Sequence, residues 1–235
     1  MICMNCKKEF TPLSNDPAGK KGGKEPYYCP DCASSFPPNL KSWDALEKCC
    51  KTCTRCELYK TKTNTVFGTG SRTADLMFVG EAPGEKEDLS GIPFVGAAGQ
   101  LFDKYLFAVD IRREDVYIAN MLKCRPPRNR DPLPEEEDVC IDYLRNQVKL
   151  IRPKIIVCLG RISAMRLIDP HFKITAEHGQ WVYRGGIWMC AVYHPALLLR
   201  DPRKKEDMLR DMQKVKQKLD ELTAACTDKR ADETL

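Results

Sequence analysis

The chain has 235 residues, 43% of them hydrophobic and 30% charged, and a formal net charge of +5. That size suits one sizeable domain with a small extra module, and the composition excludes a disordered or fibrous protein. No apolar run approaches the roughly 18 residues of a membrane span, and the opening MICMNCKKEF lacks the apolar core of a signal peptide, so no membrane association and a cytoplasmic location are expected.

Thirteen cysteines in such a chain point to metal rather than disulfides. Cys3 and Cys6 are answered by Cys29 and Cys32 across the polar segment PAGKKGGKEPYY. Two C-x-x-C knuckles of this kind turn four sulfurs toward one tetrahedral point, which predicts a zinc ribbon over residues 1–36. So small a module cannot bury enough surface to fold alone, so the zinc ion would supply its stability. What such a ribbon binds is not legible. Residues 37–48 read as a linker, marked by Pro37 and Pro38, followed by a short helix that spaces Trp43, Leu46 and Glu47.

Four near-continuous apolar runs follow: DLMFVG (75–80), DVYIAN (115–120), KIIVCLG (154–160) and IWMCAVYH (187–194). Such runs suit strands buried on both faces. Between them AGQLFDKYLFAV, EEEDVCIDYLRNQVKLI and RISAMRLI carry apolar residues at helical spacing. A long closing helix is traced by Met208, Leu209, Met212, Val215, Leu219 and Leu222, and residues 223–235 read as a disordered tail. Alternation of this kind predicts an α/β/α sandwich around a central, four-stranded, mainly parallel sheet. Ligands of such sheets sit at the carboxyl ends of the strands. There the chain places the glycine turn GEAPGEKEDLSGIPFVG, then Asn120, Gly160-Arg161 and His194-Pro195.

The glycine turn lacks the Lys-Ser/Thr pair of a phosphate loop and offers carboxylates and Phe94 instead. Phe94 presents a stacking face, and Asn120 a donor and an acceptor on one edge, which suits the hydrogen-bonding edge of a base. His194 can stabilise developing negative charge, and Glu87 can orient water or a sugar cation. The loop KCRPPRNR carries Lys123, Arg125, Arg128 and Arg130 with no acidic residue among them, which suits backbone phosphates. Cys53 and Cys56 form a third C-x-x-C, and Cys124 and Cys140 flank the basic loop and the next helix. Four thiolates so scattered suit zinc or an iron–sulfur cluster, and spacing does not separate the two. Cys49 and Cys50 lie close enough to compete as ligands, whereas Cys158 and Cys190 sit within apolar strands and read as core.

The segments CTRCELYKTKTNTVFGTG, GEAPGEKEDLSGIPFVGAAGQLFD, IANMLKCRPPRNRDP and HPALLLR, in this order from Cys53 to Leu219, closely resemble the family 4 uracil-DNA glycosylases. The resemblance implies a four-iron, four-sulfur cluster on Cys53, Cys56, Cys124 and Cys140. It further implies that residues Glu81 to Glu87, Ala82 among them, form the first active-site motif, with Glu87 the carboxylate linked to catalysis. Phe94 would stack on uracil, Asn120 read its edge, and His194 face its O2. Asn129 matches a family asparagine associated with activity, and Arg200 would join the basic loop in binding DNA. Ala196 departs from the serine common after the His-Pro pair. Relatives that form a covalent DNA adduct carry a histidine in the basic loop, and this chain has none there. The expected function is that of a monomeric, monofunctional glycosylase that flips uracil from DNA and hydrolyses its glycosidic bond. No lysine stands in these motifs as an amine nucleophile. The competing readings are a non-catalytic, metal-containing nucleic-acid-binding protein on the same fold and a nucleotide-processing α/β enzyme.

Overall fold

The structure, a computed structural model, describes residues 42–232. The expected ribbon of Cys3, Cys6, Cys29 and Cys32 lies outside them. Helix α1 (Trp43–Lys51) starts where Ser42 Oγ accepts from Ala45 N at 3.2 Å and buries Leu46 and Cys50. The four expected strands are present as β2 (Leu76–Gly80), β3 (Tyr117–Asn120), β4 (Ile155–Leu159) and β6 (Ile187–Val192). They pair in parallel in the order β3-β2-β4-β6.

Among the described residues the sheet has six strands rather than four, because an antiparallel strand closes each edge. These are β1 (Thr69–Gly70) beside β3 and β5 (Val182–Arg184) beside β6. The first is too short to show a pattern. The second forms a hairpin through Gly185 and Gly186, whose φ angles of 59° and 85° only glycine adopts freely.

Alternate strand residues feed two cores. Phe78, Val157 and Val192 pack with Phe102 of α3 (Ala97–Ala108) and Met208 and Met212 of α8 (Lys205–Asp232). Met77, Val79, Ala119 and Ile156 pack on the opposite face with Ile141 and Leu144 of α4 (Pro134–Ile151) and Ala164 of α5 (Arg161–Leu167). Cys158 and Cys190 are buried within these cores, as their strand positions predict. A third core under α1 joins Leu46, Phe67, Leu122 and Tyr143 to Cys50, Cys124 and Cys140.

Three short helices were not legible: α2 (Glu85–Ser90) inside the glycine turn, α6 (Ile174–Glu177) and α7 (Pro195–Arg200) after the last strand. Helix α8 also runs past Leu222 to Asp232, so most of the expected disordered tail is helical. Its sequence holds no glycine or proline to stop the helix, and alanines favour continuation. Among the described residues no helix is long and apolar enough to cross a membrane.

Candidate active site

The carboxyl ends of β2, β3 and β6 open onto a recess of about 510 Å³. Glu87, Phe94, Asn120 and His194 line it together, as do Glu81, Ala82, Asn129, Arg130 and Arg200.

Phe94 sits with φ at 54°, a left-handed conformation that costs a bulky residue on the order of 1–3 kcal/mol. It is held there by Arg113, which forms an ion pair with Asp103 and whose Nη2 donates to the carbonyls of Pro93 (2.8 Å) and Phe94 (3.2 Å). Arg113 was missed from the sequence, since nothing local links it to a residue so far upstream. The Phe94 ring packs on Phe102, with centroids 5.7 Å apart, and lies 5.8 Å from the His194 ring.

Asn120 ends β3 in register with Gly80 of β2. Its Oδ1 is buried and has no hydrogen-bond partner among the described residues. A Cβ on Gly80 would collide with that oxygen and stand 2.7 Å from Phe94 Cζ, so only glycine lets the amide and the ring approach one another. An orphaned buried carbonyl is costly and marks a site built for a partner from outside.

His194 accepts at Nδ1 from the Ala196 amide, 3.1 Å away, and thereby caps the first turn of α7. With Nδ1 an acceptor, the proton of the neutral ring sits on Nε2. Burial pulls the ring down to about 4, Arg200 adds to the effect and Glu87 opposes it. The imidazole at neutral pH is therefore an uncharged N–H donor.

Glu87 Oε1 accepts from Val95 N (2.9 Å) and Gly96 N (2.8 Å), the amides at the start of α3. That charge–dipole arrangement fixes the carboxylate and the turn carrying Phe94 at once. The neighbouring Asp88 accepts from Thr63 N and Asn64 N and pins α2 from behind. On the other wall, burial raises Glu81 to about 7, with Asp131 and Glu137 adding and Arg161 opposing.

The basic loop is only partly as expected. Arg125 Nε donates to Asn129 Oδ1 at 2.7 Å, and Arg128 is exposed. Arg128 and Asn129 both have left-handed φ, 55° and 54°. Arg130 forks onto Glu136 (2.9 and 2.6 Å), so its guanidinium is engaged within the protein. Lys123 does not face a phosphate: it is 1% exposed, and its Nζ donates to Asn120 O and Gln147 Oε1, each at 2.8 Å. A charged residue beside arginines reads as exposed, and the fold instead supplies two acceptors inside.

Cys53, Cys56, Cys124 and Cys140 line a second, narrow recess with Cys50 and Lys123. Their sulfurs do not converge on a point: among the described residues no group of three or more His, Cys, Asp or Glu could hold a metal ion. Burial pushes the Cys124 thiol up to about 12 and raises Cys56 and Cys140 as well, with neighbouring sulfurs adding. Three thiols this hard to ionise, in one pocket with Cys53, suit a multi-centre positive partner that holds each sulfur as thiolate. The donor set fits an iron–sulfur cluster, whose ligands sit around its periphery.

The family model for the uracil DNA glycosylase superfamily matches residues 67–219. The chain is 47% identical to the type-4 uracil-DNA glycosylase of Archaeoglobus fulgidus, over 75% of this chain and 92% of that protein. It is 41% identical to the type-4 enzyme of Pyrobaculum aerophilum (71% and 89%) and 42% identical to that of Thermotoga maritima (71% and 88%).

Proposed function

The chain belongs to the uracil-DNA glycosylase superfamily, among the type-4 enzymes, and from that premise we propose that it excises uracil from DNA by hydrolysis, as the first step of base repair. The observation that carries the reading is the unpartnered Oδ1 of Asn120 beside the Phe94 ring. An extruded uracil stacked on that ring presents N3–H to Oδ1 and O4 to the amide Nδ2. Cytosine presents an acceptor and a donor in the reverse order, and both contacts then fail.

Cleavage sends the glycosidic electron pair to uracil N1 and spreads charge to O2. The neutral His194 Nε2–H, held by its backbone contact, is a donor that needs no reorganisation as that charge appears. The sugar meanwhile becomes cationic at C1′, which the Glu87 carboxylate favours electrostatically. Asn129, its Oδ1 engaged by Arg125, offers its amide to water or substrate. Among the described residues no lysine lines the recess, which supports water rather than an amine as nucleophile and a glycosylase without lyase activity. Arg125, Arg128 and Arg200 would take the DNA backbone.

The second recess would hold one four-iron, four-sulfur cluster on Cys53, Cys56, Cys124 and Cys140, ordering the loop that begins at Cys124. Cys3, Cys6, Cys29 and Cys32 would bind zinc, a reading supported by their spacing alone. The function is tested by incubating the protein with oligonucleotides carrying a single uracil, cytosine or thymine and measuring the free base released. Uracil release alone, leaving an intact abasic strand, is the expected result; strand cleavage by the enzyme itself would contradict the hydrolytic reading. Removal of residues 1–36 should eliminate zinc and leave iron and activity in place.

A further inference from the structure

Lys123 touches both recesses. Its backbone N–H donates to Cys140 Sγ at 3.3 Å, on the cysteine side. Its Nζ donates at 2.8 Å to the main-chain carbonyl of Asn120, whose side chain carries the orphaned oxygen of the active site. A second direction of the ammonium is taken by Gln147 Oε1 at 2.8 Å, and Gln147 Nε2 is itself spent on Phe67 O and Tyr117 OH, each at 2.9 Å. The lysine is 1% exposed, and its hydrogen-bond partners come from β3 and α4. A buried cation persists only where opposite charge and strong acceptors surround it. Neutral carbonyl oxygens alone are a thin reward for so complete a burial. Four thiolates around a cluster supply the missing negative charge, and Lys123 lines their recess.

We propose that Lys123 is a positioning residue that couples the cysteine recess to base selection: its ammonium both balances the charge of the thiolate-held cluster and pins the end of β3 so that Asn120 meets uracil in register. The proposal rests on the cluster and uracil readings above. The coupling needs no contact between cluster and DNA, because one side chain spans the gap between the two sites.

Two variants separate the two duties. Lys123→Met keeps the length of the side chain and removes both charge and donor. Gln147→Glu sets a carboxylate against the ammonium at nearly the same volume, cancelling its charge and giving up the donation to Phe67 O, while leaving the tether to Asn120 O. The measurements are iron content, the cluster's reduction potential followed by spectroscopic titration, and single-turnover release of uracil relative to cytosine. Net charge and hydrogen bonding near a cluster set its potential, so both variants should shift it to more negative values. Lys123→Met should in addition slow uracil release about tenfold, the scale of one misplaced hydrogen bond, and narrow the uracil-to-cytosine ratio. Gln147→Glu should keep that ratio. Wild-type protein without iron, or without uracil release, would strike the underlying readings and this proposal with them. Iron-replete Lys123→Met with wild-type potential and selectivity overturns the coupling. If Lys123→Met does not fold, Gln147→Glu decides: an unchanged potential, or a selectivity lost together with it, removes the division of roles.

Discussion

Replacing His194 tests the leaving-group assignment, because the same ring also has a structural duty. Its Nδ1 caps α7 through the Ala196 amide, and loss of such a cap costs about 1 kcal/mol of stability. Loss of a preorganised donor to the uracil anion costs about 2.7–4 kcal/mol in the barrier, or a hundred- to thousandfold in rate. His194→Ala removes both contributions. His194→Ser restores the cap, since serine at this position accepts from the same amide, but its hydroxyl is too short to reach the base. Single-turnover cleavage of a uracil-containing duplex should therefore fall by that factor in both variants, while thermal stability recovers in the serine variant. With the ring near 4, roughly one molecule in a thousand carries the imidazolium at pH 7, and the donor stays neutral until strongly acid pH. The unfolded chain protonates this histidine from about 6.5 downward while the native ring resists, so stability is lost as pH falls from 6.5 to about 4. A serine variant that regains wild-type cleavage would falsify the assignment and leave His194 a helix cap only.

Glu81, raised to about 7, gains negative charge as pH rises through neutrality, so affinity for abasic product DNA should weaken between pH 6 and 8. Glu81→Gln should flatten that dependence in fluorescence anisotropy, and a persisting slope assigns it to another group. Gly80→Ala should lower stability by about 1–3 kcal/mol through overpacking and reduce kcat/KM at least tenfold, because its Cβ displaces Asn120 and Phe94. Wild-type kinetics in that variant would show that ring and amide do not need their close approach. Replacing Arg125 and Arg128 together should weaken all uracil-containing DNA alike and reduce the salt slope of log K by about 2, one for each lost phosphate contact. A changed preference among flanking bases with an intact slope is the contrary outcome.

The parallel sheet was legible because its strands are apolar on both faces, and two cores explain why: Met77 and Val79 face one, Phe78 the other. The edge strands were not, although Gly185-Gly186 before Ile187 is a hairpin signal in plain view. That Glu87, Phe94, Asn120 and His194 share one recess was legible, since odd residues at strand ends stand out against apolar runs. Lys123 was misread because sequence proximity to Arg125 and Arg128 says nothing of the acceptor brought up by α4. Arg113 and Asp88 were silent for the same reason: each acts through backbone groups of a segment distant in sequence.

The clasp around Phe94 has a consequence for the end of the catalytic cycle. With Arg113 holding its carbonyl and Glu87 holding the two amides that follow, the ring has no freedom left to surrender when a base arrives. Ordering a mobile side chain at binding costs about 0.5–1.5 kcal/mol, and here that cost is met during folding. The same platform does not relax once the bond is broken. Free uracil would find the stacking face and the Asn120 edge still in place, so the expected outcome is turnover paced by departure of the base, checked as inhibition by added uracil.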